Sequence, residues 1–230
     1  TPLYSSAASD VYKRQILPLD GFRLSKSLAK TIRQGRFTVT ADTAFAEIIA
    51  TCAESQDDRR ETWINPDIEE SFCQLHAQGR AHSVECWVDG RLVGGLYGLA
   101  MGRAFFGESM FSRETDASKV ALAWLVARLK LGGFALLDCQ FMTDHLASLG
   151  AIEITQNAYL KLLKSALTTT GQPSSGLASS LDGAAGSAGA VWGALDGALS
   201  VGAGASSAGF SSTGVSSPGK LILQLLTQTS

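Results

Sequence analysis

Between positions 21 and 163 the apolar residues recur at two spacings, one suited to helices and one to strands. Phe45, Ile48, Ile49 and Cys52 stand at i, i+3, i+4 and i+7 behind Asp42, which predicts a helix with Asp42 as its cap. Asn65-Pro66 supplies a cap and a first-turn proline for a second helix. Its buried stripe is Ile68, Phe72 and Leu75, and Gly79 ends it. Residues 83–88 and 91–96 flank Asp89-Gly90, a strong two-residue hairpin signal. Residues 103–106 read as a third strand. Thr115 or Asp116 then opens a helix with Leu122, Leu125, Val126 and Leu129 on its inner face, and Gly132-Gly133 closes it. Residues 134–137 form a last short strand that delivers Asp138-Cys139-Gln140 at its C-terminal end. The order is helix, helix, three antiparallel strands, helix, strand: an α+β arrangement built on an antiparallel meander with packed helices.

Outside residues 16–164 the patterning fades. From 165 to 219 the only charged residues are Asp182 and Asp196, and the stretch holds 12 of the 24 glycines, so few large side chains offset the entropy of ordering it. This Gly/Ala/Ser-rich region is expected to be flexible, with one short ordered piece around 191–195. Its glycines at 202–209 resemble a phosphate loop, but no strand and helix frame them. Residues 220–226 are a strand-like apolar run expected to return to the sheet. Residues 1–15 carry no periodicity and look like translated adaptor. They are set aside, with the native N-terminus expected upstream of Ile16.

The chain has 230 residues, 45% apolar and 17% charged, with a formal charge of −2, which removes a whole-molecule attraction for nucleic acid and leaves room for a local basic patch. There is no apolar run long enough to span a membrane and no secretory layout. Cys52, Cys73, Cys86 and Cys139 are widely spaced and lack metal-ligand spacing, so a reduced cytoplasmic protein with buried thiols and no metal is expected.

Seven segments carry a family resemblance. They are Thr62-Trp63-Ile64, Ala81-His82-Ser83-Val84-Glu85, Val93-Gly94-Gly95-Leu96-Tyr97-Gly98, Phe106-Gly107-Glu108-Ser109-Met110-Phe111-Ser112, Ala117-Ser118-Lys119, Asp138-Cys139-Gln140, and Asp144-His145 through Ala147-Ser148-Leu149-Gly150-Ala151. In this order and spacing, over residues 22–163, the chain resembles the leucyl/phenylalanyl-tRNA–protein transferases. The element order is likewise that of GNAT-type acyltransferases, the fold the resemblance implies. Two elements of the family, Gly-Gly-Asp-Leu and Phe-Pro-Trp, do not occur, so the chain reads as N-terminally truncated. An acetyl-CoA enzyme would need a glycine-bearing pyrophosphate loop, and Phe111-Ser112-Arg113-Glu114-Thr115-Asp116 has none.

The resemblance implies transfer of Leu or Phe, in some cases Met, from aminoacyl-tRNA to the N-terminal Arg or Lys of a protein, marking it for N-end-rule degradation. The alternative is an inactive fragment that only binds aminoacyl-tRNA. Aminolysis of an ester runs downhill to an amide, so neither cofactor nor metal is implied. It assigns Asp138 and Gln140 to the reacting centre. At i, i+2 they can share one face, with the carboxylate anchoring an amide that receives the amine; alternatively Asp138 merely caps the next turn. Glu108, among aromatics, needs a cation: the acceptor's basic N-terminus, or internally Arg103, Arg113 or Lys119. Leu96, Phe105, Met110, Leu122, Leu125 and Leu137 match the family's donor pocket, against the alternative of ordinary core packing. Trp63 is placed to stack on the terminal adenosine. Arg23, Lys26, Lys30, Arg33 and Arg36 would share a helical face and track acceptor-stem phosphates, or form a solvated face. His82 and His145 are expected to be structural.

Overall fold

The computed structural model describes residues 13–54, 64–140, 142–168, 192–204 and 217–228. In chain order the elements are β1 (Lys13–Ile16), α1 (Lys26–Gln34), β2 (Thr38–Ala41), α2 (Phe45–Ala53), α3 (Pro66–Ala77), β3 (Ala81–Val88), β4 (Arg91–Met101) and β5 (Ala104–Ser112). They continue as α4 (Ala117–Leu131), β6 (Leu136–Asp138), α5 (Asp144–Ser148), β7 (Ile152–Thr155), α6 (Gln156–Thr168), α7 (Ala194–Gly204) and α8 (Pro218–Thr227). The sheet runs β2-β3-β4-β5-β6-β1-β7. β2 to β5 are antiparallel neighbours, and β6 joins β5 in parallel after the α4 crossover. This is the α+β meander with packed helices expected from the sequence.

Side-chain alternation divides the sheet into two faces. Leu96 and Phe105 enter a core with α4, whereas their neighbours Tyr97 and Phe106 enter the cores under α2, α3 and α6. Asp89 and Gly90 make the β3–β4 turn, both at positive φ, as the hairpin signal requires. Asn65 accepts the Ile68 N–H at 3.0 Å with Pro66 in the first turn of α3, as expected. The α3 stripe of Ile68, Phe72 and Leu75 is half-buried rather than buried, because this helix lies at the rim of its core.

Several local expectations change. Asp42 does not cap α2: its φ is +57°, and its carboxylate accepts from His82 Nδ1 and the Ser83 N–H at 2.8 and 2.9 Å. β3 competes for that side chain and wins. The third strand is longer than 103–106 and carries Glu108 within it. Lys13 to Gln15, set aside from the fold, belong to β1, between β6 and β7. Residues 220–226 are helical. Ser217-Pro218 begins α8, and Ile222 and Leu226, one helical turn apart, are buried against the layer formed by α1 and α4. Gly219 is needed there, since a Cβ would stand 2.6 Å from the Ile32 carbonyl oxygen.

The ordered piece within the Gly/Ala/Ser-rich region includes Trp192 and Leu195, both buried, and continues as α7 over α4. Trp192 slots between His82 and Phe105, with ring centroids 4.2 and 5.5 Å away. Arg128, buried in α4, donates to both Asp196 carboxylate oxygens at 2.6 and 2.7 Å and to the Trp192 carbonyl at 2.8 Å. The expected flexible stretches at 169–191 and 205–216 lie outside the described residues. Among the described residues no helix is long and apolar enough to cross a membrane, and no group of His, Cys, Asp and Glu could hold a metal ion.

Candidate active site

The parallel pairing of β5 with β6 runs through Ala104–Leu136, Phe105–Leu137 and Phe106–Asp138 and then stops. Beyond it β5 continues while the other chain turns away. At that divergence β5 bulges: Gly98 opposes Gly107 and Tyr97 opposes Ser109, leaving Glu108 as the extra residue. The bulge resets the alternation, so Phe105 and Met110, five positions apart, both pack toward α4. Gly98 is required at this crossing, because a Cβ would meet the Phe106 carbonyl oxygen at 2.2 Å.

Glu108 and Gln140 close the gap between the diverging strands. Gln140 Nε2 donates to Glu108 Oε2 at 2.7 Å, and both side chains are half-buried. An ionised carboxylate can only accept, so the amide is held with its nitrogen toward Glu108. Gln140 Oε1 accepts from no other group among the described residues. Burial pushes the Glu108 carboxyl up, the Gln140 bond draws it down, and the Asp138 charge pushes it up again; the net direction is upward.

Asp138 lies beneath this pair and is fully buried. Its Oδ1 accepts the backbone N–H of Gln140 at 2.8 Å, and its Oδ2 accepts from Arg14 Nη2 at 2.7 Å and Tyr159 Oη at 2.5 Å. Gln140 itself sits at φ +57°. The other non-glycine residues at positive φ among the described residues are Asp42, Asp89 and Asp116, a residue type that tolerates this region; glutamine does so less readily.

Glu108, Asp138 and Gln140 are thus brought together, but not in the expected relation. Asp138 anchors the Gln140 backbone, as the turn-capping alternative described, and not its amide, which goes to Glu108. The three internal cations considered for Glu108 are engaged elsewhere: Arg103 with the Gly133 carbonyl, Arg113 with Glu54, and Lys119 with Asp116. Cys139, between the two site residues, is no nucleophile at neutral pH, since burial pushes its thiol up to about 12.

Leu96, Phe105, Leu122, Leu125 and Leu137 are all buried in one continuous core, and Met110 is half-buried against it. Trp192, stacked on Phe105, forms part of the same packing. Trp63 lies outside the described residues. All five residues of the basic run are exposed, but only Lys26, Lys30 and Arg33 lie on α1. Arg36 pairs with Glu114 beyond the helix, and Arg23 precedes it, its N–H donating to Leu149. That bond ties the start of the basic run to the end of α5, shortly after Gln140. His82 is held by Asp42 and Trp192, in keeping with a structural part. His145 Nε2 is buried without a hydrogen-bond partner among the described residues. A surface recess lined by Glu47, Trp87, Arg91 and Glu114 includes none of the site residues.

Sequence reasoning missed Arg14 and Tyr159. A tyrosine on an otherwise apolar helix stripe is the one available signal, because a buried hydroxyl requires a partner. Arg14 lay in the segment set aside.

Comparison with known proteins agrees with these motifs. The chain is 66% identical over 168 residues to the leucyl/phenylalanyl-tRNA--protein transferase of Rhizorhabdus wittichii, covering 71% of this chain and 68% of that one. It is 67% identical over 157 residues to that of Zymomonas mobilis, covering 68% of this chain and 59% of the relative. It is 52% identical over 222 residues to that of Novosphingobium aromaticivorans, covering 94% and 84%. Among solved structures, an aminoglycoside acetyltransferase from a soil metagenome aligns over 64% of this chain and 97% of its own, at 11% identity and a TM-score of 0.37, too distant to bear on the chemistry. The model of the family described as leucyl/phenylalanyl-tRNA protein transferase matches residues 16–164, and the chain belongs to that family.

Proposed function

We propose that this chain transfers Leu or Phe from aminoacyl-tRNA to the N-terminal Arg or Lys of an acceptor protein. The observation that carries the reading is a half-buried carboxylate, Glu108, with no cationic partner among the described residues, hydrogen-bonded to Gln140 where β5 and β6 diverge. A carboxylate in that setting favours a positively charged visitor. An acceptor bearing both an α-ammonium and a basic side chain supplies one.

The reaction forms a C–N bond between the α-amine and the ester carbonyl and breaks the bond from that carbon to the terminal ribose oxygen. The amine proton ends on the departing hydroxyl. An α-amine has a pKa of about 7.7–8.0, so roughly a tenth is already neutral at pH 7 and no strong base is needed. Gln140 Oε1 receives one amine hydrogen and aims the lone pair at the ester. Glu108 fixes the amide orientation and attracts the basic N-terminus. Orientation of this kind is worth about 7–11 kcal/mol in favourable intramolecular cases. The exposed cations of α1 follow the acceptor stem, and the modified N-terminus marks the protein for degradation in the cytoplasm, where charged tRNA is found.

Incubation with labelled Phe-tRNA and peptides differing only at residue 1 tests this. Transfer is expected to peptides beginning with Arg or Lys and not with Ala, and to be lost in Asp138→Ala. Equal transfer to the Ala peptide, or binding of charged tRNA with no transfer to any peptide, contradicts the proposal.

A further inference from the structure

We infer that Tyr159 is a positioning residue for the Glu108–Gln140 pair and acts on it through Asp138, which Arg14 also engages in this chain. The catalytic part of the inference rests on the function proposed above. The structural coupling does not.

Four elements meet at Asp138. Tyr159 from α6 and Arg14 from β1 both donate to Oδ2, at 2.5 and 2.7 Å, while Oδ1 on β6 accepts the Gln140 N–H at 2.8 Å. That last bond fixes where the Gln140 backbone nitrogen stands, and from there, at φ +57°, its Nε2 reaches Glu108 on β5 at 2.7 Å. The path from the Tyr159 hydroxyl to the Glu108 carboxylate is therefore an unbroken series of hydrogen bonds through one buried carboxylate.

Packing explains the ring of Tyr159 and leaves the hydroxyl unexplained. The ring lies in a core with Ile16, Ala104, Leu136 and Ala166, which a phenylalanine would fill equally well. The Arg14 guanidinium lies over that ring, 4.6 Å from its centroid, so ring and cation are themselves fixed to one another. What the hydroxyl adds is a second donor on Oδ2, which pins the carboxylate so that Oδ1 faces the Gln140 backbone. A Gln held in a left-handed conformation would otherwise relax. Its amide would then leave Glu108.

Glu108 reports on this arrangement. Burial raises its carboxyl most, the Gln140 bond draws it down and the Asp138 charge pushes it up, while Tyr97 nearby, its phenol raised by burial, stays neutral throughout. Losing the Gln140 bond must move the Glu108 midpoint upward. The test is a carboxyl NMR titration of Glu108 in the full chain, for the parent, Tyr159→Phe, Gln140→Ala and the double variant. Tyr159→Phe changes no charge at neutral pH and keeps the packing. It is expected to raise the Glu108 midpoint, as Gln140→Ala does, and the double variant to match Gln140→Ala alone. In the transfer assay Tyr159→Phe lowers kcat by about tenfold, the size expected for one hydrogen bond to a charged group, and leaves KM within about twofold. If Tyr159→Phe does not fold, Arg14→Lys, which keeps the charge and loses the planar fork, takes its place with the same expected rise.

An unchanged Glu108 midpoint in the variant overturns the inference, whatever happens to the melting temperature. A raised midpoint in a protein that transfers nothing, parent included, overturns the proposed function and leaves the coupling standing. A raised midpoint with undiminished kcat overturns the catalytic part.

Discussion

Glu108 carries opposing demands. Its carboxyl is raised by burial, yet the proposed role uses the ionised form. A raised folded-state value means that the group's contribution to stability is fully present below the unfolded value and is lost as pH rises through the folded one. Ionised Glu108 is therefore a liability to the fold that function retains. Glu108→Gln should melt higher than the parent at pH 7, with the difference vanishing below about pH 4, near the ordinary glutamate value. The same variant should raise KM for Arg and Lys peptides, and the acid limb of kcat/KM in the parent should lie above the ordinary carboxylate range. Thermal melts at the two pH values, with a pH–rate profile, check both halves. A lower melting temperature at pH 7 would mean that Glu108 has a favourable partner in the fold. Of this residue-scale picture the sequence showed which side chains gather and not how they bond. Asp138 and Gln140 are two residues apart, so their proximity is local. The ties from Asp138 to Arg14, 124 positions away, and to Tyr159 depend on the sheet order, which no local pattern encodes.

The elements most legible in sequence are those whose signals are local. The Asp89-Gly90 hairpin, the Asn65-Pro66 start of α3 and the α4 stripe all formed near where their patterns placed them. α8 did not follow its pattern, because Leu221 to Leu226 is a short apolar run that fits either period, and the choice falls to what it packs against. That surface is α4, buried on nearly every side and needing cover beyond the sheet. The bulge at Glu108 was equally hidden, since a single extra residue leaves no trace in composition. α7 gives this outer layer its measurable energetics. Arg128 is 3% exposed and is satisfied by Asp196 and the Trp192 carbonyl, although Asp196 itself is largely in solvent. Breaking a buried pair costs about 3–5 kcal/mol, and the exposure of Asp196 reduces that to about 1–3 kcal/mol for Asp196→Ala. Trp192→Ala, which empties the slot between His82 and Phe105, should cost about 3–5 kcal/mol. Urea unfolding measures both. Losses under about 0.5 kcal/mol, the range of ordinary surface substitutions, would show that this layer is not part of the cooperative core.

At the scale of the whole chain, a net charge of −2 coexists with an exposed basic face on α1. Lys26, Lys30 and Arg33 stand at i, i+4 and i+7 there, while Leu28 and Ile32 hold the opposite side in the core. If these three cations meet acceptor-stem phosphates, replacing them together by Ala should weaken charged-tRNA binding and flatten its dependence on salt. The logarithmic slope should fall by about two to three, at about 0.7–0.9 per phosphate contact. An unaltered slope would leave α1 as a solvated face. This surface, the divergence of β5 from β6 and the Glu108–Gln140 pair form one account, in which the sheet positions an amide acceptor where an ester and an amine can meet. The most direct test of it is single-turnover transfer of labelled Phe from Phe-tRNA to an Arg-initiated peptide by the parent and by Gln140→Ala, with tRNA affinity measured alongside. The account predicts a rate at least about a hundredfold lower in the variant, in the range typical of positioned proton-transfer groups, at unchanged tRNA affinity. A variant that transfers as fast as the parent would contradict it.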